Sequence, residues 1–351
     1  MKFMTLIFKS SMFRLVTQAS TTALTVVVLM LSASSLRGQD WHFSQFQGNP
    51  LALDPAMAGL FSGDLRLGLQ YRNQWNFAAN YHTISAAADA PLVRFKNEDF
   101  FAGSLQIISD QAGDLRFRTT SISAGLAYHK RLDPYKNHYL SAGYQAGYSL
   151  RAVDYSQIVA FDPEPSAVLE NNQFGFLDMA AGVNWFLAPK RNQFAYAGLG
   201  MHHLNQPDQS FQQNGSAPLA MRINVYAGGS LPLSSSVFLQ PALVYYNQGP
   251  HQELNAGVNL RWWLNEEQSI YQKERAIGMG VWYRAADALI VSTRFDYGDF
   301  LIGLSYDINF SKLSQVSNLN GGPEVSLVYI LNSGKDAGGS LRQQMYCPSF
   351  F

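Results

Sequence analysis

The sequence predicts an all-β fold in which about fourteen antiparallel strands close into a barrel. Two observations lead to this prediction. Apolar and polar residues alternate one by one in segment after segment of the chain, which is the pattern of strands with one apolar face. Charged residues make up only 14% of the sequence and aromatic residues 13%, whereas a typical soluble domain has about 25% charged residues. The apolar strand faces therefore need surroundings other than water.

Residues 1–38 have the features of a secretory signal peptide. Basic residues precede a short apolar run at 23–31, and small residues follow it. The run is shorter than the roughly 20 residues that a membrane-spanning helix needs. We therefore expect an exported chain, cut after Ser34 or after Gly38. Residues 1–38 contain four basic and no acidic residues, so the formal charge of the remainder is −4.

Fourteen alternating segments follow the leader. They are predicted at 64–75, 81–92, 98–110, 116–131, 136–151, 174–187, 192–203, 219–231, 236–247, 252–263, 275–284, 288–297, 299–309 and 323–331. Most exceed the usual soluble strand of about 5–6 residues and match the roughly 9–11 residues that a tilted strand needs to cross a bilayer. The alternation predicts that Leu140, Tyr144 and Leu304 face lipid and that Arg151, Asn259 and Arg294 face the lumen.

A secreted β-sandwich would also show alternation, but its outward face would carry many Lys, Glu and Asp residues. The polar faces here consist mainly of Gly, Ser, Asn and Gln with a few Arg and Asp. Aromatic residues cluster near strand ends, as in Trp262 and Trp263, where the interfacial girdles of an outer-membrane barrel lie. The sequence therefore favours an outer-membrane barrel, with outer-membrane lipid around it.

Connection lengths predict the orientation of this barrel. The longest connections follow odd-numbered strands, at 152–173, 204–218 and 310–322, whereas most connections after even-numbered strands are short, with 264–274 as an exception. Short periplasmic turns and longer outer loops are usual for such barrels. We expect the chain to comprise a signal peptide (1–38), an N-terminal periplasmic or plug segment (39–63), the barrel (64–331) and a tail (332–351).

Candidate chemistry is sparse. The pair His202-His203 lies at a strand end, where neighbouring side chains should point to opposite faces, so a polar pair is favoured over a metal site. Asp296, Asp299 and Asp307 flank one hairpin, and turn and ion-pair roles are favoured over an acid–base pair. Six lumenal arginines could bind an anion or line a pore, but balanced ion pairs are favoured: Arg66, Arg72, Arg151, Arg222, Arg261 and Arg294.

The remaining sequence signals exclude several function classes. The negative charge gives no footprint for nucleic acid. Cys347 is the only cysteine, so neither an internal disulfide nor a cysteine-based metal site can form. Nucleophile-elbow, P-loop and zinc-protease motifs are absent from the sequence. We expect no enzyme activity, with no catalytic, cofactor-binding or metal-binding residues.

The stretch around the first strand resembles the start of the PorP/SprF family, membrane proteins of the type IX secretion system of Bacteroidetes. The residues that carry the resemblance are Gln39-Asp40, His42-Phe43-Ser44-Gln45, Asn49-Pro50, Asp54-Pro55-Ala56, Ala58-Gly59, Ser62-Gly63-Asp64, Arg66, Tyr71-Arg72-Asn73-Gln74-Trp75, Gly303-Leu304-Ser305-Tyr306-Asp307, Gly321-Gly322-Pro323-Glu324-Val325-Ser326-Leu327 and Cys347-Pro348. The family favours Asn where Asp54 stands and Arg where Ser349 stands.

The resemblance implies an outer-membrane barrel that supports export or surface attachment of type IX cargo, including gliding adhesins. It implies partners among the machinery subunits of the periplasm and outer membrane and among cargo C-terminal domains. A passive outer-membrane porin is the alternative that the residues alone leave open. The two differ in whether the lumen conducts and whether specific surface proteins depend on the barrel.

The N-terminal segment (39–63) is unusual for a plain porin because it is rich in aromatic residues and turns. We expect it either to bind a partner or to plug the lumen, and to stay on the periplasmic side of the barrel. Its candidate residues are Trp41, Phe43, Phe46, Asn49, Pro50, Asp54 and Pro55. Buried aromatic residues at interfaces often contribute about 2 kcal/mol or more each to binding.

Overall fold

The computed structural model describes residues 40–74, 81–113, 116–133, 137–154, 172–190, 192–211, 216–264, 275–310 and 320–332. Fourteen strands within these ranges form a closed antiparallel barrel, which confirms the predicted fold class and strand number. The signal peptide, the tail beyond residue 332 and most of the connection at 152–173 lie outside the described residues.

The strands are long, and most begin and end within three residues of the predicted segments. They are β1 (Leu65–Gln74), β2 (Tyr81–Arg94), β3 (Phe100–Ala112), β4 (Phe117–Asp133), β5 (Asn137–Ala152), β6 (Gln173–Lys190), β7 (Gln193–His202), β8 (Arg222–Pro232), β9 (Val237–Gln248), β10 (His251–Trp263), β11 (Arg275–Arg284), β12 (Ala288–Tyr297), β13 (Phe300–Asn309) and β14 (Asn320–Leu331).

Each strand pairs with its neighbours in the chain, and the seam between β1 and β14 closes the barrel. At that seam Leu65 lies opposite Leu331 and Arg72 opposite Glu324 in one continuous antiparallel register. Closure removes the unpaired sheet edges that an open sheet would present.

The two faces of the sheet are those that the alternation predicts. Leu140, Tyr144 and Leu304 lie on the outer face with 49%, 49% and 41% of their surface exposed. Arg151, Asn259 and Arg294 point into the lumen, where Asn259 donates a hydrogen bond to Gln47 Oε1 of the N-terminal segment at 3.2 Å. The outer face is consequently a continuous apolar surface, as an outer-membrane barrel requires.

The barrel has two rims, defined here by their connections. The long-connection rim carries the connections after odd-numbered strands, including 153–172 and 203–221. The short-connection rim carries those after even-numbered strands, together with the start of β1 and the end of β14. This rim holds tight turns such as 298–299 and 233–236, and 264–274 is its one long connection.

Residues 40–63 lie inside the barrel and contain only short helical turns. These are the 3₁₀ turns Phe46–Gly48 and Pro55–Met57 and a single α-helical turn, Pro50–Leu53. None of the helices in the described part of the chain has the length and apolar character to cross a membrane. Proline at the first position of two of these turns fits their start, because its missing N–H would have no helical partner there.

Candidate functional site

The N-terminal segment runs through the lumen from one rim to the other. At its start, the backbone N–H of Asp40 donates to Oε1 of Gln248, the last residue of β9, at 3.1 Å. At its end, the N–H of Asp64 donates to the carbonyl of Leu331, the last residue of β14, at 2.9 Å. Gln248 belongs to the long-connection rim and Leu331 to the short-connection rim. The expectation that the whole segment stays on one side of the barrel is therefore wrong.

The three candidate aromatic residues lie along the first third of this path. Trp41 is half-buried, with its ring centroid 5.6 Å from that of Phe43 and 5.7 Å from the guanidinium carbon of Arg222. Phe43 and Phe46 are each only 4% exposed. Phe46 meets the ring of Trp282 edge-on at 5.3 Å, an arrangement that the quadrupoles of two aromatic rings favour.

Asn49 and Pro50 fix the next turn. The side-chain oxygen of Asn49 accepts from the N–H of Ala52 at 3.3 Å and so caps the turn that Pro50 begins. The same oxygen accepts from Gln106 Nε2 at 2.8 Å, and Asn49 Nδ2 donates to Ser85 Oγ at 2.6 Å. Asn49 therefore makes a local cap and two bonds to the barrel wall, which satisfies most of its hydrogen-bonding capacity.

Asp54 and Pro55 form the turn that the sequence predicts, but Asp54 is also completely buried. Its Oδ1 accepts from the N–H of Ala56 at 2.7 Å, and its Oδ2 accepts from the hydroxyl of Tyr226 at 2.7 Å. The carbonyl of Leu53 accepts from Asn224 Nδ2 at 2.8 Å. These bonds tie the turn to β8, because both wall residues belong to that strand.

A row of small residues crosses five neighbouring strands beneath this turn. The register places the members of the row side by side: Ala102, Ala127, Gly143, Gly182 and Gly200 on β3 to β7. We name this row the small-residue track. A Cβ atom added at Gly143 would overlap Ala56, one at Gly182 would overlap Asp54, and one at Gly200 would overlap the carbonyl of Leu53. Gly59, with φ +75°, lies against Ala102.

The track explains how the segment turns across the barrel. Residues 53–59 cross the strands instead of following them, with their backbone in van der Waals contact with the wall. Glycine is suited to such a place because it lets two backbones approach closely. This feature escapes inspection of the sequence, since the glycines are far apart in the chain and only the strand register brings them into one row.

A second site-forming cluster lies near the long-connection rim. Arg72 Nη2 and Arg284 Nη1 contact Asp307 Oδ2 at 2.9 and 3.0 Å. Ser44 Oγ donates to Asp307 Oδ1 at 2.7 Å and accepts from Arg284 Nη2 at 2.7 Å. All four side chains are buried, so the ion pairs and hydrogen bonds offset the cost of removing the charges from water.

Glu324 extends this cluster across the seam. Its carboxylate accepts from the backbone N–H groups of Ser44 and Gln45 at 2.7 and 2.8 Å, and from Gln70 Nε2 at 2.6 Å. Sequence inspection assigns no role to Glu324, although it stands in the Gly-Gly-Pro-Glu stretch of the family resemblance. An acidic residue at an inward position of the last strand is the signal that points to it.

The lumenal arginines are largely paired, as the sequence predicts. Arg66 contacts Asp89 at 2.8 Å, and both Arg261 and Arg294 contact Asp296 at 2.5 Å. Arg151 and Arg222, which also lie near the long-connection rim, have other contacts. Arg151 bonds to Thr119 Oγ1 and Gln209, and Arg222 bonds to Asn224 and the carbonyl of Trp41.

Asp299 lies in the turn between β12 and β13, and Asp296 and Asp307 do not form an acid–base pair. Asp296 is at the short-connection end of β12, where it pairs with Arg261 and Arg294. Asp307 lies at the opposite end of β13, among Arg72, Arg284 and Ser44. Their separation along the barrel axis keeps the two carboxylates in different clusters.

His202 and His203 both face the interior, which differs from the predicted opposite orientation. His203 follows the last residue of β7 and has φ +57°, so the strand alternation ends before it. Nε2 of His203 contacts Asp40 at 2.5 Å and Nδ1 contacts Asp178 at 2.9 Å. Burial alone would lower the pKa of His203, but the two carboxylates outweigh it and raise the pKa to about 9. In the part of the chain that the structure describes, no three His, Cys, Asp or Glu side chains are arranged so that they could hold a metal ion.

The model of one protein family matches residues 35–329: type IX secretion system membrane protein PorP/SprF. This chain belongs to the PorP/SprF family. The matched range covers the N-terminal segment and nearly all of the barrel. The family and the barrel fold together support an outer-membrane location for this PorP/SprF protein and its membership of the secretion machinery.

Solved structures similar to this PorP/SprF protein are also barrels. The TodX monoaromatic hydrocarbon channel deltaS2 mutant is 10% identical with a TM-score of 0.45, covering 80% of this chain and 92% of that one. The CymD monoaromatic hydrocarbon channel is 11% identical with a TM-score of 0.45, and the match covers 83% of this chain and 93% of that one. BamA from Haemophilus ducreyi, lacking POTRA domains 1–3, is 10% identical with a TM-score of 0.39, and the match covers 76% of this chain and 69% of that one. Comparison with curated proteins gave no match.

Proposed function

We propose that this protein is an outer-membrane barrel of the type IX secretion system that supports the export or surface attachment of specific cargo, such as gliding adhesins. Family membership supports the secretion role. The observation that carries the proposal beyond a simple pore is the N-terminal segment, which runs through the lumen from rim to rim with most of its residues buried against the barrel wall. A lumen occupied by the chain's own segment from rim to rim fits an assembly or attachment component better than an open channel.

We propose a plug role for the N-terminal segment. Phe46, Asn49 and Asp54 are each less than 5% exposed, and their partners are residues of the barrel wall. Side chains that are already covered by the wall cannot also be covered by a second protein unless the segment leaves the lumen. A partner-binding role is the competing function for these residues.

Surface proteomics of a deletion strain tests the secretion role. We expect loss of particular type IX cargo from the cell surface, while the uptake of a small fluorescent dye stays at the wild-type level. Plasmid-borne wild-type protein should restore the cargo. Unchanged surface proteins combined with reduced uptake of small solutes would favour the passive porin instead.

Deleting residues 39–63 while keeping the leader separates the plug from partner binding. A plug predicts a barrel that still co-purifies with secretion components but makes the outer membrane leaky and conducts steadily in planar bilayers. A partner-binding segment predicts a tight membrane and loss of the co-purifying components. A truncated barrel that kept its partners, its cargo and a tight membrane would contradict both roles.

A further inference from the structure

We propose that the mature N-terminus of this protein is presented at the long-connection rim on the cell surface, so that the chain passes outward through its own barrel before β1 begins. The inference concerns the two ends of the N-terminal segment and rests on the proposed orientation, in which the long-connection rim faces outward.

The outer end of the segment is held by residues of three strand ends at the long-connection rim. Asp40 contacts Gln248 at the end of β9 and His203 just beyond β7. The carbonyl of Trp41 accepts from Nη1 of Arg222, the first residue of β8, at 3.1 Å. Every one of these wall residues adjoins a connection after an odd-numbered strand, so Asp40, the first described residue, lies at the long-connection rim.

The inner end is held at the short-connection rim. The N–H of Gly59 donates to Asp89 Oδ2 at 2.6 Å, in the half of β2 that approaches this rim. The ring of Phe61 lies 4.9 Å from the guanidinium carbon of Arg66 at the start of β1. The segment thus starts at one rim and ends at the other.

The closed sheet restricts the routes by which the segment can enter the lumen. The ladder between β1 and β14 is continuous from Leu65 to Arg72, so a folded barrel offers no lateral gap through which the segment could enter. The segment therefore enters before β1 and β14 pair or along the barrel axis, and by either route its N-terminal end has to reach the long-connection rim. Its composition suits such passage, because residues 39–63 contain no Lys or Arg and only two acidic residues, Asp40 and Asp54.

Surface labelling of intact cells tests the inference on the full chain. Residues 39–63 contain no lysine, so an impermeant amine-reactive biotin reagent can modify this segment only at the α-amine. A Gln39→Ser variant prevents cyclisation of an N-terminal glutamine. In a Cys347→Ser background, Gln206→Cys marks the exposed connection after β7 and Ser235→Cys marks the exposed turn after β8, each read with an impermeant maleimide.

We expect the N-terminal peptide and Gln206→Cys to be modified equally before and after permeabilisation, and Ser235→Cys only after it. Modification of Gln206→Cys on intact cells with an α-amine that reacts only after permeabilisation would overturn the inference while leaving the orientation intact. Modification of Ser235→Cys alone on intact cells would overturn the orientation and surface presentation together. Cargo display, measured separately, reports on the proposed secretion role.

A short epitope inserted between Gly38 and Gln39 gives a second readout that does not depend on amine reactivity. Antibody should bind it on intact cells that carry heat-modifiable, assembled barrel. Binding only after permeabilisation, with the barrel assembled, would count against surface presentation.

Discussion

Gly143 and Ala56 lie back to back, because the position of a Cβ atom on Gly143 coincides with the backbone of Pro55 and Ala56. This contact joins a barrel strand to the N-terminal segment with no side chain between them. It shows that the wall of β5 is shaped for the segment, since an alanine at the same place would force one backbone away from the other.

The first prediction follows from this contact. Gly143→Ala should displace the turn at residues 53–59 and destabilise the packed lumen by about 1–3 kcal/mol, as overpacking of a filled core usually does. The midpoint of heat-modified migration in gels measures the effect. Gly68→Ala is the matched control, because the nearest atom to a Cβ there is the carbonyl of Gly48 at 3.8 Å. Equal midpoints for the two variants would contradict the prediction.

The barrel itself could be predicted from the sequence because a strand's faces are set by adjacent residues. Alternation in segments such as 138–151 gives both the strand and its outward side chains, Leu140 and Tyr144 among them. The ends of strands are harder to predict, because a strand can continue through residues that pair with a neighbouring strand but do not alternate between apolar and polar. An example is β14, which starts at Asn320 and not at the predicted residue 323.

For the lumen, the sequence predicts the types of interaction but not the residues that make them. Ion pairing of the arginines was expected, but the partners depend on register across strands that are distant in sequence, as for Arg72 with Asp307. The small-residue track cannot be recognised in the sequence for the same reason, because only the strand register brings its members together. The sequence does not predict that the two ends of the N-terminal segment lie at opposite rims, because local sequence carries no information about which rim a segment reaches.

A second prediction concerns the buried charge cluster at Asp307. Asp307→Ala should destabilise the barrel by about 3–5 kcal/mol, because removing one member of a buried ion pair leaves the others without compensation. Arg72 and Arg284 would both lose their contact with this carboxylate. Thermal unfolding followed by circular dichroism in detergent measures the change.

Asp287→Ala is the control for that variant. Asp287 also contacts Arg284, at 3.2 Å, but its side chain is 36% exposed, so its loss should cost no more than about 1 kcal/mol. Equal unfolding temperatures for the two variants would mean that the buried Asp307 carboxylate contributes no more to stability than the half-exposed Asp287 carboxylate.

A third prediction tests the face assignment. Leu304→Arg places a charge on the lipid-facing surface of β13 and should cost about 2–4 kcal/mol near the middle of the bilayer. Urea-induced unfolding in lipid vesicles measures this cost, with Leu304→Ile as the volume-conserving control. Ser305 lies on the opposite face and accepts a hydrogen bond from Gln45 Nε2 at 3.1 Å. Normal assembly of Leu304→Arg alongside failure of Ser305→Arg would mean that the register is wrong by one residue.

The last prediction concerns the pH dependence of the outer end of the N-terminal segment. His203 is protonated at neutral pH, because its pKa is raised to about 9 although burial alone would lower it. A raised pKa in the folded state means that the ion pair with Asp40 stabilises fully below about pH 6.5 and is lost as the pH rises through about 9. Burial alone would raise the pKa of Asp40, but the neighbouring His203 and Arg222 hold that pKa below its ordinary range. Asp40 therefore keeps its negative charge in mild acid, and its ion pair with His203 stays intact.

Cleavage of the N-terminal segment by a broad-specificity protease should therefore be slow from about pH 5 to pH 7 and should accelerate as the pH approaches and passes 9. Cleavage near Trp41 is followed by mass spectrometry on the purified barrel, with rates corrected for the protease's own pH profile on an unstructured peptide. His203→Gln keeps hydrogen-bonding capacity but cannot become charged, so its cleavage should be faster at neutral pH and nearly independent of pH. If the wild-type protein and His203→Gln shared one pH profile, the charge on His203 would not be what holds Asp40 at the rim.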